Sequence, residues 1–224
     1  MKPVRLLLVL ALCIARNGLA QQSPAFDPFE ATIPQIRAAL AARSITCQQL
    51  VKFYLDRMDA LDIAGPKLNA LRTRNPRALQ IAAAMDNQTA FLPKGPLFCI
   101  PILVKDNIDT GDMPTTAGSV ALQNTFPLDD SFLVKQLKAA GAIIIGKGNL
   151  TEFANFLTNG MPNGYSSLGG YVLDPYDPRS IPPPLPNSDG RQALAPGGSS
   201  SGPGVVASSN LRPLPSVPKP PVRS

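Results

Sequence analysis

Two short apolar runs, separated by a helical pattern, constrain the fold of this chain most strongly. Residues 97–104 are apolar without a break, and residues 142–145 form a second run that ends at Gly146. Runs of this length are typical of strands that are buried on both faces. Residues 130–140, which lie between the runs, have helical spacing and stop before a glycine. Helices that alternate with buried strands predict an α/β fold.

A helical region precedes the first apolar run. Apolar residues recur at helical spacing over 36–40 and 50–61, and Thr46 with Gln49 forms a capping box before the second stretch. Asn75 is followed by proline, which is the pattern of an N-cap and a first helical residue. We therefore predict two amphipathic helices and a third helix that opens at Asn75.

The first twenty residues have the pattern of a secretory signal peptide. Lys2 and Arg5 precede the apolar run 6–14, and small residues stand before Gln21. The run is too short to span a bilayer. We expect residues 1–20 to be removed, which leaves a secreted protein that starts near Gln21 and has no stable membrane anchor. The alternatives are an uncleaved anchor and an N-terminal helix.

Two later stretches are rich in residues that interrupt helices and strands. Residues 174–195 contain many Pro, Asn, Asp and Gly residues, which predicts an irregular loop or insertion. Residues 212–224 contain five prolines in thirteen residues. This proline-rich tail can form neither a helix nor a central strand.

The charge distribution and the lack of histidine exclude several classes of function. The formal net charge of +6 comes from the basic residues of 1–20 and 212–224, which hold no acidic residue, so residues 21–211 are neutral overall. A nucleic-acid-binding surface is therefore not predicted. The chain has no histidine, which excludes Ser-His-Asp and Cys-His catalytic units and most catalytic zinc sites. Acid–base chemistry must use Lys, Asp, Glu, Tyr or Cys.

A secreted chain can carry disulfides and glycans. Cys13 leaves with the signal peptide, and Cys47 and Cys99 remain. Secretion permits these two cysteines to pair, but two isolated buried thiols fit the sequence at least as well. Asn87 and Asn149 each begin a glycosylation sequon. Because Asn149 follows an apolar strand and is expected to be buried, Asn87 is the better candidate.

Lys105 is the first candidate for chemistry because it ends the first apolar run. Burial favours the neutral amine over the charged one, and a neutral amine can act as a general base. Two structural alternatives remain open. The side chain could extend to solvent, or it could pair with Asp106 where the strand emerges.

The second candidate is the glycine- and serine-rich segment 196–202. Gly197 and Gly198 allow positive φ and a close approach of the backbone to a substrate. The hydroxyls of Ser199 and Ser200 can form hydrogen bonds or relay protons. The apolar residues that follow indicate the start of a helix. Taken by itself, however, the segment has the composition of a flexible linker.

A third pattern is similar to a nucleotide-binding loop but lacks a residue that such a loop requires. Residues 141–148 nearly form a Walker A loop, but the last position is Gly148, where a Ser or Thr must reach the metal. The three consecutive isoleucines inside the pattern favour a strand over a phosphate-binding loop. Nucleotide binding is therefore not predicted.

Three motifs follow one another along the chain, namely residues 101–108 (PILVKDNI), 140–154 (AGAIIIGKGNLTEFA) and 196–202 (PGGSSSG). Together, in this order and approximate spacing, they resemble the amidase-signature family, which includes proteins similar to the A subunit of glutamyl-tRNA amidotransferase. The similarity extends over residues 31–211. Because each motif now has its partners, we prefer the catalytic interpretation of Lys105 and Ser199 to the structural ones.

The resemblance implies an amidase-signature fold, with a mixed β-sheet core flanked by helices, of which this chain supplies about the N-terminal half. It implies hydrolysis of the C–N bond of a small carboxylic amide by Ser-cisSer-Lys chemistry, without a metal or cofactor. Lys105 would be the general base. Ser199, held by a cis peptide after Gly198, would pass a proton between the lysine and the nucleophilic serine. Gly197, Gly198 and Ser200 would support the site.

The resemblance also implies that a part is missing. The family's nucleophilic serine lies in a glycine- and threonine-containing segment that falls near Arg223 here, and neither Ser216 nor Ser224 has the required neighbours. Cys99 and Pro203 also depart from the family, which has glycine and a small residue there. We expect the chain to lack the nucleophile and to be inactive alone. The alternatives are a non-catalytic secreted half-domain that binds or regulates, and an incorrect gene model.

Overall fold

A three-stranded mixed sheet organises the chain. The structure, a computed structural model, describes residues 26–88, 95–157, 160–181 and 190–210; the signal-like segment and the proline-rich tail lie outside them. The central strand pairs antiparallel with the first strand and parallel with the second, in the order β1-β3-β2. The strands are β1 (Leu71–Arg74), β2 (Pro101–Lys105) and β3 (Ile143–Gly148). The predicted α/β class with a mixed sheet is confirmed.

Helices cover this sheet, and a small hairpin lies beside it. The hairpin pairs β4 (Tyr165–Ser166) with β5 (Gly170–Tyr171). None of the described helices is long and apolar enough to cross a membrane. The helices are α1 (Ile33–Ala41), α2 (Cys47–Met58), α3 (Ala78–Asp86), α4 (Phe132–Ala139) and α5 (Ser201–Ser208).

A comparison of predicted and observed helix starts shows which local sequence signals correctly place the first residue of a helix. Helix α2 begins as predicted, because the Thr46 hydroxyl accepts from the Gln49 backbone N–H at 3.1 Å and the Gln49 side chain accepts from the Thr46 N–H at 2.9 Å. The predicted third helix forms, but α3 starts at Ala78 and not directly after Asn75. Asn75 still caps the turn that leads into α3, because its side-chain oxygen accepts from the Arg77 N–H at 2.9 Å. Its side-chain N–H donates to the Ile144 carbonyl at 2.8 Å, which ties the chain before α3 to the central strand.

Both apolar runs differ from the strands they predicted. Residues 97–100 form a turn, in which Cys99 has φ +63°, and β2 starts only at Pro101. Strand β3 does not end at Gly146 but continues to Gly148. A Cβ atom at Gly146 would lie 2.5 Å from the Thr73 carbonyl oxygen, so this glycine lets β1 pair closely with β3.

The alternation of side chains along β2 and β3 divides the core between two faces of the sheet. One face carries Leu103 and Ile143 and packs against α1, α2, α3 and α5. The other face carries Val104 and Ile144 and packs against Met113 and α4. Neighbouring residues at the end of β2 therefore point into different surroundings.

A disulfide joins the helical layer to the turn before β2. Cys47, the first residue of α2, is bonded to Cys99, with the two Cα atoms 5.5 Å apart and a sequence separation of 52. Both cysteines are fully buried. The interpretation of Cys47 and Cys99 as isolated thiols is therefore wrong.

The loop predicted over residues 174–195 contains no helix or strand in its described parts, 174–181 and 190–195. A single bridge between Ser180 and Gln192 brings its two ends together. Gln192 is buried and donates its side-chain N–H to the Asn163 carbonyl at 2.7 Å. The described ends of the loop are thus attached to the segment that follows β3.

We expect the disulfide and the backbone at Cys99 to make separable contributions to stability. Closing a loop of 52 residues stabilises a fold by about 3–4 kcal/mol, so Cys47→Ala with Cys99→Ala should lower the free energy of unfolding by about that amount. Cys47→Ala with Cys99→Gly should lose about 1 kcal/mol less, because glycine adopts positive φ without a steric penalty. Urea denaturation measures both. Equal stabilities of the two double variants would contradict the role assigned to the Cys99 backbone.

Candidate active site

The structure brings the two candidate residues of separate motifs into contact. The Lys105 Nζ atom donates a hydrogen bond to the Ser199 Oγ atom at 2.8 Å, across 94 residues of sequence. Lys105 is the last residue of β2, and Ser199 lies just before α5. Both side chains are partly buried. A lysine amine and a serine hydroxyl at this distance can exchange a proton.

A glycine opposite Lys105 allows α5 to approach the strand ends. Lys105 is paired with Gly148 in the parallel register of β2 and β3. A Cβ atom at Gly148 would lie 2.8 Å from the Leu103 side chain and 2.9 Å from that of Pro203 in α5. Because position 148 has no side chain, the first turn of α5 packs directly against the end of β3. Pro203, one of the two departures from the family, is part of this contact.

The backbone before and within α5 is also fastened to the end of β3. The Gly202 N–H donates to the Asn149 carbonyl at 3.1 Å, and a Cβ atom at Gly202 would lie only 2.3 Å from that oxygen. The Thr151 N–H donates to the Ser199 carbonyl at 3.2 Å. The position of Ser199 is therefore set by two backbone hydrogen bonds with the residues that directly follow β3.

The surface beside Ser199 is open. Gly197 has φ +97°, and a Cβ atom at either Gly197 or Gly198 would meet no atom of the described residues within 4 Å. Ser200 is exposed and immediately precedes the first turn of α5. A substrate could approach Ser199 from this side without displacing atoms of the described residues.

The turn after β3 is strained where it adjoins the serine segment. Phe153, Ala154 and Asn155 have φ of +46°, +55° and +67°, a conformation that costs roughly 1–2 kcal/mol for each residue other than glycine. The turn follows Thr151, whose side-chain oxygen accepts from the Gly164 N–H at 2.8 Å. Thr151 thus connects Ser199, the strained turn and the start of the hairpin segment.

Asp106, the possible partner of Lys105, turns away from it. Asp106 is fully buried on the α4 side of the sheet and lies 3.6 Å from the Nζ atom of Lys147. It also accepts hydrogen bonds from the side chain and the backbone N–H of Thr116. The alternative in which Asp106 pairs with Lys105 is therefore wrong, and Ser199 is the partner that Lys105 contacts.

Burial shifts the pKa values of Lys105, Asp106 and Lys147. Desolvation lowers the pKa of the Lys105 amine, which favours its neutral form. Desolvation also raises the pKa of the Asp106 carboxyl, while the Thr116 hydrogen bond and the Lys147 charge oppose that rise. The pKa of Lys147 is lowered by desolvation, against the opposing attraction of Asp106. Lys105 is therefore suited to accept a proton.

Sequence reasoning did not find Lys147. This lysine is fully buried inside β3, and neither the near-Walker A pattern nor the family motif 140–154 gave it a role. A signal was present, because a lysine within a buried strand requires an acidic partner, and Asp106 directly follows the neighbouring strand β2.

The two glycosylation candidates have different surroundings. Asn149 is fully buried and donates its side-chain N–H to the Asn69 carbonyl at 3.0 Å, so the folded protein has no room for a glycan there. Asn87 is exposed at the end of α3, and the threonine of its sequon lies outside the described residues. Asn87 stays the candidate glycosylation site.

Among the described residues, other candidate sites are absent or lie away from Lys105 and Ser199. Within the described ranges, no three His, Cys, Asp or Glu residues are grouped so that they could hold a metal ion. A cavity of about 630 Å³ is lined by Asn75, Asp112, Lys138 and Ile143, and Lys105 and Ser199 are not among its lining residues. This cavity lies at the start of β3, whereas the lysine–serine pair lies at the other end of the sheet, where β2 and β3 end.

The spacing and contacts of these motifs agree with a comparison with known families. The model of the amidase family matches residues 49–215. The chain belongs to the amidase family. It is 36% identical over 184 residues to a putative amidase of Schizosaccharomyces pombe, a match that covers 81% of this chain and 29% of that protein. It is 35% identical over 216 residues to a probable amidase of Arabidopsis thaliana, a match that covers 92% of this chain and 38% of that protein.

Solved structures give the same result. The native peptide amidase from Stenotrophomonas maltophilia superposes with a TM-score of 0.73 at 39% identity, covering 82% of this amidase-family chain and 35% of the neighbour. An amidase family protein from Bacillus anthracis superposes with a TM-score of 0.72 at 34% identity. The chain thus has the amidase-signature fold and spans about a third of the length of these relatives.

We expect the burial of Lys105 to cost stability in a pH-dependent manner. Because the folded state lowers the pKa of this amine, the unfolded chain binds more protons between the two pKa values, and stability rises with pH in that interval. Below the folded pKa the cost is complete, and above the unfolded pKa it is gone. Lys105→Met should therefore be more stable than the wild type at pH 7, with a difference that shrinks as the pH approaches the pKa of an ordinary lysine.

Urea denaturation from pH 7 to pH 10 measures this difference. Lys67→Met, at an exposed position, controls for the loss of one positive charge. A wild type that is more stable than Lys105→Met at pH 7 would contradict the account.

Proposed function

We propose that this chain carries the proton-transfer part of a secreted amidase that hydrolyses small carboxylic amides. The contact between Lys105 and Ser199 at 2.8 Å is the observation that carries the proposal. Membership of the amidase family supports amide hydrolysis, and the lowered pKa of Lys105 supports its use as a base.

The proposed proton path has two steps. Neutral Lys105 accepts the proton of the Ser199 hydroxyl, and Ser199 in turn accepts the proton of a nucleophilic serine whose oxygen attacks the amide carbonyl. The proton then returns along the same path to the leaving nitrogen, so that the C–N bond breaks and an acyl-enzyme forms. Water, activated by the same pair, releases the acid. This path explains how an enzyme without histidine can run acid–base catalysis near neutral pH.

In this proposal, residues 26–210 supply neither the nucleophile nor the oxyanion hole. The position that would hold the nucleophile falls in residues 212–224, where the sequence has no glycine or threonine. Covalent catalysis and oxyanion stabilisation both contribute strongly to the rate, and losing either lowers it severely. We therefore propose that the 224-residue chain has no measurable amide turnover by itself.

The substrate class follows from the open surface and the charge balance. The glycines before Ser199 leave space for a carbonyl group, and no positively charged groove is indicated, since residues 21–211 are neutral overall. A small amide or the amide end of a short peptide fits this surface better than a polyanion. Stenotrophomonas maltophilia peptide amidase, by its name, acts on peptides, which supports the same class.

A hybrid enzyme tests the proposed roles. Residues 26–210 would be followed by the part of the peptide amidase that lies beyond its matching segment, and ammonia release from a peptide amide would be measured. Lys105→Ala should lower kcat/KM by about 10³-fold, because a general base contributes about 10²–10⁴-fold. Ser199→Ala should have an effect of similar size.

Lys52→Ala serves as the matched control, since Lys52 is an exposed lysine paired with Asp56. Its kcat/KM should stay within about twofold of the unaltered hybrid, as expected for an exposed ion pair. A hybrid that is active and insensitive to Lys105→Ala would refute the assignment of Lys105.

Secretion is the second part of the proposal. It rests on the signal-like residues 1–20 and is supported by the Cys47–Cys99 disulfide, a bond typical of oxidising compartments. In a secretory host, the protein should appear in the medium with an N-terminus near Gln21. A loss of mass on glycosidase treatment that Asn87→Gln abolishes would identify the glycan. Retention of residues 1–20 in an intracellular product would contradict secretion.

A further inference from the structure

A buried ion pair lies on the sheet face opposite the lysine–serine pair. The side chains of Lys147 and Asp106 have no exposed surface, and their charged atoms are 3.6 Å apart. The Lys147 amine also donates to the Thr115 hydroxyl at 2.8 Å and to the Pro114 carbonyl at 3.2 Å. Burying two charges is costly, and hydrophobic residues of similar volume often replace such pairs without loss of stability. Stability by itself therefore does not account for the pair.

The pair is placed so that it fixes the end of β2. The Asp106 backbone N–H donates to the Gly148 carbonyl at 3.0 Å, and the Asp106 carbonyl accepts from the Ala117 N–H at 3.0 Å. The Asp106 side chain is held on the α4 side of the sheet by Lys147 and Thr116. Since side chains alternate along a strand, Lys105 is left on the α5 side, where it meets Ser199.

We infer that Lys147 is a positioning residue for Lys105: it holds and neutralises the Asp106 carboxylate, which would otherwise compete with Ser199 for the Lys105 amine. The two lysines thus have separate tasks, one as the ion-pair partner and one as the partner of the serine. The importance of this arrangement for catalysis rests on the proposed function, whereas the effect on Lys105 itself does not.

The other charges around the pair do not replace Lys147. Arg72, Asp109 and Asp112 act on Asp106 or Lys147 through longer-range attraction. The Arg72 guanidinium donates to the Leu168 carbonyl at 2.9 Å, and Asp112 lies 3.7 Å from Lys138. Among the described residues, Lys147 is the one cation within 4.0 Å of the Asp106 carboxylate.

The titration of Lys105 in the full chain tests this inference without any need for turnover. NMR of protein labelled with ¹³C-lysine follows the Cε signal of each lysine against pH, and Lys105→Met identifies the signal of Lys105. In Lys147→Met, the uncompensated carboxylate should raise the pKa of Lys105 and lower its neutral fraction at pH 8 about tenfold. In Lys147→Met with Asp106→Asn, where neither charge remains, the Lys105 titration should return to that of the wild type.

Each outcome of these Lys105 titrations either supports or overturns the role inferred for Lys147. An unchanged Lys105 titration in Lys147→Met would overturn it, including the case in which Asp106 takes up a proton instead. A titration that stays raised in the double variant would also overturn it, because no carboxylate then remains at position 106. If Lys147→Met does not fold, the double variant carries the test, since it must fold and keep the low pKa of Lys105. The hybrid-enzyme assay tests the proposed function separately.

Discussion

The close approach of α5 to the ends of β2 and β3 is the constraint on which the site depends. Gly148 in the strand and Gly202 in the helix both lie where a Cβ atom would overlap a neighbour, so the absence of two side chains lets α5 pack closely on the strand ends. The parallel pairing of β2 with β3 places Lys105 beside Gly148. The serine segment, which enters α5, is thereby brought within hydrogen-bonding distance of a lysine 94 residues earlier in the chain.

The alternation of side chains along a β-strand then gives two adjacent charged residues, Lys105 and Asp106, different partners. Lys105 and Asp106 are neighbours in sequence, and a flexible segment would let them pair. At the end of a strand they point to opposite faces, so the carboxylate binds Lys147 and the amine binds Ser199. The arrangement is costly, because it buries Asp106 and Lys147 completely and Lys105 in part, and it is followed by a turn with positive φ at Phe153. Costs of this kind are concentrated at functional sites, where selection acts on activity more than on stability.

Much of the architecture could be predicted from sequence, and the misses have physical causes. The capping box correctly predicted the start of α2. The order of the motifs correctly predicted that Lys105 and Ser199 come together. Strand β1 was missed because it is short and partly polar, and only its antiparallel pairing with β3 makes it a strand. The Cys47–Cys99 bond could not be predicted, since the turn that brings Cys99 to α2 was taken for the first half of a strand. Lys147 was missed because its partner, Asp106, lies in a distant part of the sequence, directly after β2.

The central claim is that Lys105 and Ser199 form one proton-transfer unit. It is tested most directly by the pH titration of the Lys105 amine in the wild type, in Ser199→Ala and in Ser200→Ala. The account predicts that Ser199→Ala lowers the pKa of Lys105 further, because the charged amine loses the oxygen to which it donates. Ser200→Ala, which removes an exposed hydroxyl one residue away, should leave the titration unchanged. The same Lys105 titration in all three proteins would contradict the claim.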